Sequence, residues 1–200
     1  MENNNIYPYR LIEQKEQSNN LAIILPGAGY TTQAPLLHFT TGLFFTKGYD
    51  VLHINYSFNR EEMAALSEKD FTKNVQSTID KALKNKEYRN YFIVAKSIGT
   101  IALSYLQPNT KFEISNLIWL TPLIQRDDVF NAMLNSNNKG LCIIGDKDPC
   151  FIKDRFERLK SNYHLQIKLI EGTNHSLELD GKPIESIEIV KSVISTINDF

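Results

Sequence analysis

Residue types that together can activate a hydroxyl for attack on a carbonyl follow three successive apolar runs. After the run 91–95 come Lys96, Ser97, Ile98, Gly99 and Thr100, and then a helical pattern. Small-x-Ser-x-Gly between a strand and a helix is the pattern of a nucleophile elbow. The sharp turn demands small side chains on both sides, here Ala95 and Gly99. It lifts the Ser97 hydroxyl towards the helix N-terminus, where N–H groups favour negative charge. By itself the motif also fits a serine that merely N-caps the helix.

After the run 141–144 come Gly145, Asp146, Lys147, Asp148 and Pro149, and after the run 165–170 come Thr173, Asn174, His175 and Ser176. A serine hydroxyl needs an adjacent base, and neutral imidazole suits this near pH 7. The imidazole in turn needs a carboxylate to set its tautomer. His175 is the expected base and Asp148 the expected acid, with Asp146 as the alternative. Asp127 and Asp128 follow the preceding strand, but their place suits helix N-terminal charges. His38, His53 and His164 have no comparable context and read as packed or surface residues.

Acyl transfer also needs two N–H donors for an oxyanion. The amide of Ile98 is one, and the loop Pro26-Gly27-Ala28-Gly29-Tyr30 offers the amide of Ala28 as the other, with Gly29 or Tyr30 in reserve. A dinucleotide-binding turn would want a third glycine where Thr32 stands, and an acid after the next strand, which ends near Asn55. Gly29, Tyr30, Lys96, Pro122 and Leu123 are the expected substrate contacts. Lys96 is expected at the pocket mouth, as an attractor of anions or simply as a solvated lysine. Phe39 and Trp119 either line the pocket or pack in the core.

The elements that must position these residues alternate strand and helix. Strands are expected over 21–25, 50–56, 91–95, 117–121, 141–144 and 165–170, with a further antiparallel edge strand within 6–14. Helices are expected over 34–47, 61–86, 98–106, 127–135, 151–160 and 183–198. Unbroken apolar strands between helices imply a doubly wound, mostly parallel α/β sheet covered on both faces. Chemistry in such sheets gathers at the carboxyl ends of the strands.

The 200 residues suit a single domain over 1–200. A hydrophobic share of 42% and a charged share of 22% are ordinary for a globular chain. Net charge is −1, so nothing draws the chain to nucleic acid or an anionic membrane, and a small molecule is the expected partner. The start Met1-Glu2-Asn3-Asn4-Asn5 lacks a basic, then apolar, signal pattern, which leads to a cytoplasmic expectation. Cys142 and Cys150 form no C-x-x-C pair and have no histidine cluster beside them in sequence. No metal or organic cofactor is expected. Oligomeric state is not legible.

On Ser97 with its Gly99, on Gly145 to Asp148, on Asn174-His175-Ser176 and on the glycine loop after residue 25, the chain resembles the α/β-hydrolase superfamily. It is similar to small cap-less members of the dienelactone-hydrolase-like and bacterial esterase-like kind. Pro26 stands where many members carry histidine, and Ala95 where glycine is commoner. The resemblance implies an α/β-hydrolase fold without a large cap, and a serine esterase or thioesterase working through an acyl-enzyme. An amidase, peptidase or acyltransferase on the same triad, or a non-catalytic binding protein on the same fold, remain the alternatives.

Overall fold

The computed structural model describes residues 6–113 and 115–200. Strands β1 (Tyr9–Ile12), β2 (Asn20–Leu25), β3 (Asp50–Ile54), β4 (Asn90–Lys96), β5 (Ser115–Leu120), β6 (Gly140–Gly145) and β7 (Leu165–Ile170) form one sheet in the order β1-β3-β2-β4-β5-β6-β7. Every neighbouring pair is parallel except β1 with β3, where Tyr9 lies opposite Ile54 and Ile12 opposite Val51. The edge strand anticipated within 6–14 is therefore present and antiparallel.

Helices α1 (Pro35–Thr46), α2 (Arg60–Ala64), α3 (Glu68–Ala82), α4 (Gly99–Leu106), α5 (Asp127–Leu134), α6 (Lys153–Leu159) and α7 (Pro183–Asp199) cover the sheet. Alternate residues of each central strand feed two cores. Leu36, Leu37 and Phe44 of α1 pack with Val193 and Ile197 of α7 over Ala22, Ile24 and Val94. On the other face Phe71, Val75, Ile101, Phe130 and Phe156 of α3 to α6 pack over Ile23, Ile93, Trp119 and Cys142. Strands buried on both faces must be apolar throughout, which is why they read as continuous runs.

The single helix expected over 61–86 is instead two, α2 and α3. Asn59 caps α2, accepting from Glu62 N at 2.9 Å, while the Glu62 carboxylate accepts from Asn59 N at 2.7 Å. The Ser67 hydroxyl accepts from Asp70 N at 3.3 Å and starts α3 afresh. Local caps thus override an amphipathic period that runs across the break. Only α5 lies between β5 and β6, so no large cap is inserted there. No helix among the described residues is long and apolar enough to cross a membrane.

Candidate active site

After β2 the chain runs to β3 on one side, and β4 then pairs with β2 on the other. The strand order reverses there, so the loops after β2 and β4 part to opposite faces and leave a crevice above the strand ends. Ser97 stands at that crevice. Its φ of 53° places it in the left-handed region, which costs a side-chain-bearing residue about 1–2 kcal/mol. Three contacts hold it there. Ser97 N donates to Leu120 O at 3.1 Å, Thr100 N donates to Ser97 O at 2.9 Å, and Gly99 brings the first turn of α4 against β2. A Cβ at Gly99 would lie 2.4 Å from Leu25 O, so the glycine is needed for close approach. Ala95 fits where glycine is commoner: it is fully buried, between Leu25 and Trp119 in register.

The Ser97 hydroxyl lies 2.8 Å from His175 Nε2, and His175 Nδ1 lies 2.8 Å from Asp148 Oδ2. Asp148 is buried, and its other oxygen accepts from Cys150 N at 2.8 Å. With both oxygens occupied the carboxylate cannot rotate away from the ring, which fixes Nδ1 as the protonated nitrogen and leaves Nε2 to accept. Such a row can take a proton from the hydroxyl as it attacks a carbonyl and return it to a leaving group.

Asp146, the alternative acid, serves another purpose. Its Oδ1 accepts from Gly172 N at 2.6 Å, and Lys147 N donates to Thr173 O at 3.1 Å. These bonds join the loop after β6 to the loop after β7. The second loop is shaped by Asn174, whose side-chain oxygen accepts from Ser176 N at 2.8 Å and Glu178 N at 3.2 Å, and by Leu177 at a φ of 62°. Asp127 pairs with Arg155, and Asp128 with Arg126. His53 is buried against Thr41 Oγ1 at 2.8 Å, and burial pushes its pKa down to about 4, so it stays neutral; His38 is exposed and His164 half-buried.

The loop after β2 lies against the elbow, for a Cβ at Gly27 would stand 3.4 Å from Ser97 Cβ. Among the described residues, neither the Ala28 nor the Ile98 amide donates to a backbone oxygen. Gly29 is exposed beside them. The Tyr30 hydroxyl accepts from Leu36 N at 3.1 Å, tying that ring to the start of α1. Pro122 is buried and Leu123 half-buried, with Leu123 N 3.4 Å from Thr100 Oγ1.

The structure separates the two aromatic candidates and corrects the expectation for one basic side chain. Phe39 is not core: it is 56% exposed and borders an open groove of about 450 Å³ with Pro35, Leu179, Ile187 and Val190, beside Asn174 and Glu178. Trp119, the other candidate, is wholly buried. Lys96 is neither solvated nor at a pocket mouth. It is 1% exposed, and its Nζ donates to Thr121 Oγ1 at 2.8 Å and to the His175 carbonyl oxygen at 2.7 Å, with the Tyr30 ring 4.6 Å away. The apolar run 91–95 places residue 96 on a strand end but says nothing of the acceptors waiting there. Thr121 sits at a φ of 43°, and nothing local to it in the sequence marks the role.

Folding also brings Cys150 to the imidazole, which sequence proximity did not show. Ligand atoms of Asp148, Cys150 and His175 lie within 4.8 Å of one another. Two of the three already bond each other, and burial raises the Cys150 thiol to about 11, which disfavours the thiolate a metal would need.

No family model matches the chain. No curated protein matches it either. Among solved structures it is similar to a protein of unknown function from Agrobacterium tumefaciens provisionally described as an alpha/beta hydrolase, at 20% identity and a TM-score of 0.71, covering 96% of this chain and 88% of that one. It is similar to Est1E from Butyrivibrio proteoclasticus with bound ferulic acid, at 13% identity and a TM-score of 0.68, covering 95% of each chain. It is likewise similar to a serine hydrolase without a lid from Xanthomonas campestris, at 14% identity and a TM-score of 0.65, covering 96% of this chain and 85% of that one. Sheet order, crevice and these neighbours agree, and the chain has the α/β-hydrolase fold.

Proposed function

We propose that the chain is a serine hydrolase that cleaves a small carboxylic ester or thioester through an acyl-enzyme. The observation that carries the reading is the row from Ser97 Oγ through His175 to Asp148, with 2.8 Å at each step. His175 takes the Ser97 proton as the oxygen attacks the carbonyl. The amides of Ile98 and Ala28 receive the oxyanion, His175 protonates the leaving group, and a water activated by His175 releases the acid. Gly29, Tyr30, Pro122 and Leu123 border the substrate. Lys96 drops out of that set because its amine is bonded inward.

The neighbour with bound ferulic acid and the lidless serine hydrolase support an ester substrate and an open site. The Phe39 groove lies beside the histidine loop and supports an apolar acyl or alcohol part. The route requires no metal or organic cofactor. Cys142 and Cys150 are unpaired, which supports the cytoplasm as the site of action.

A fluorophosphonate should label Ser97 in the native protein and leave a Ser97→Ala variant unmodified. A panel of p-nitrophenyl esters, acyl-CoA thioesters and aminoacyl amides should show ester or thioester turnover above amide turnover. Absence of an adduct at Ser97 would defeat the hydrolase reading, and turnover of the amides alone would move it to the amidases.

A further inference from the structure

Lys96 is a buried titratable residue at the centre of the site that the acyl-enzyme route does not use. Its amine meets groups from three loops. Thr121 Oγ1 follows β5, the His175 carbonyl follows β7, and the Tyr30 ring follows β2. The lysine itself ends β4, one residue before the nucleophile. An ammonium has three N–H donors, and here it has three acceptors: a hydroxyl oxygen, a carbonyl oxygen and the face of an aromatic ring. A neutral amine has only two donors, and the third contact would then need the Thr121 hydroxyl to donate to its lone pair. The charged form makes all three contacts as the donor. Thr121 is held at a φ of 43° while presenting its hydroxyl, and non-glycine residues keep such conformations only where neighbours enforce them.

We propose that the Lys96 ammonium is a positioning group: by bonding the main chain of His175 and the hydroxyl of Thr121 together, it holds the imidazole in line with Ser97. The inference rests on the hydrolase reading and adds to it a residue outside the triad. The groups facing the amine are Asp148 on the loop after β6, Glu178 on the loop after β7, Cys150 beside Asp148, and Tyr30. Burial pulls the Lys96 pKa down to about 7, against the opposing pull of Asp148, Glu178 and Cys150. The holding form is thus the one that disappears as pH rises through neutrality.

The test compares the rate of Ser97 labelling by a fluorophosphonate, and ester turnover, in the parent, Lys96→Met and Thr121→Val between pH 5 and 9. Methionine keeps the length and apolar stem of lysine but donates nothing. The expected result is a 10- to 100-fold loss in labelling rate and kcat at pH 6 for Lys96→Met, with KM changed less than threefold. The parent should also show a fall above about pH 7 that the Met variant lacks. Thr121→Val, which removes one acceptor, should lose a smaller factor and shift that fall to lower pH. A Met variant that labels as fast as the parent with the same pH profile would overturn the inference and leave the hydrolase reading standing. A parent that does not label at all would overturn both. Should Lys96→Met fail to fold, an unaltered labelling rate and pH profile in Thr121→Val would overturn it in its place.

Discussion

The backbone of Gly145 lies so close to Thr173 that a Cβ at 145 would stand 2.1 Å from the Thr173 carbonyl oxygen and 2.5 Å from its hydroxyl. The loop carrying Asp148 and the loop carrying His175 are therefore packed backbone to backbone. Lys147 N reaches Thr173 O at 3.1 Å across the same seam. The obstacle is main chain, which cannot swing aside as a side chain can. Gly145→Ala must push the loops apart, at a cost of about 1–3 kcal/mol for an overpacked site. Its loss of ester turnover should exceed what the fraction unfolded explains, because the acid and the base separate. Gly29→Ala is the stability control: nothing lies within 4 Å of its Cβ, and its melting temperature should match the parent's. Thermal melts with turnover on one ester check both.

Ser97→Ala should abolish turnover while changing stability by no more than about 1–2 kcal/mol, because only a partly exposed hydroxyl is lost. The φ of 53° adds a sharper expectation. Glycine has no Cβ to strain in the left-handed region, so Ser97→Gly should be more stable than Ser97→Ala by about 1 kcal/mol. Urea midpoints of the two variants measure this directly. An alanine variant as stable as the glycine one would mean the elbow stores no strain.

The two aspartates after β6 should separate cleanly. Asp148→Asn keeps the shape but lets the imidazole take the wrong tautomer, and turnover should fall by about 10³–10⁴. Asp146→Asn loses a charge-assisted bond to Gly172 N and should cost about 1 kcal/mol of stability, with turnover within tenfold of the parent's. Steady-state kinetics on one ester decides, and the reverse ranking would transfer the acid to Asp146.

Lys96 also makes stability depend on pH. Its pKa is depressed from 10.5 to about 7 in the folded chain, so between those values the unfolded chain holds the proton that the folded chain has released. Folding stability from this group must then rise with pH from about 7 towards 10.5, by as much as a few kcal/mol. Lys96→Met removes that slope. It should be more stable than the parent below pH 7, with the gap narrowing as pH rises. Urea unfolding of both proteins at pH 6 and pH 9 tests the sign, and a parent without the slope would mean the amine keeps its proton inside.

The sequence by itself determined the strands, their parallel stacking and the chemistry available at their ends. A strand covered on both faces has to be apolar along its length, and an elbow has to carry small residues around its serine, so both leave local marks. Ser97, His175 and the pair Asp146 and Asp148 could be named because each follows such a strand. Tertiary structure alone decided the rest. The choice of Asp148 over Asp146 depends on which carboxylate meets the imidazole across 2.8 Å, and the two differ in sequence by a single intervening lysine. The break between α2 and α3 is set by the Ser67 cap, while the amphipathic period continues through it. Lys96 was unreadable because burial of a lysine is decided by its acceptors. These come from Thr121, His175 and Tyr30, residues far away along the chain that meet only when the sheet has formed.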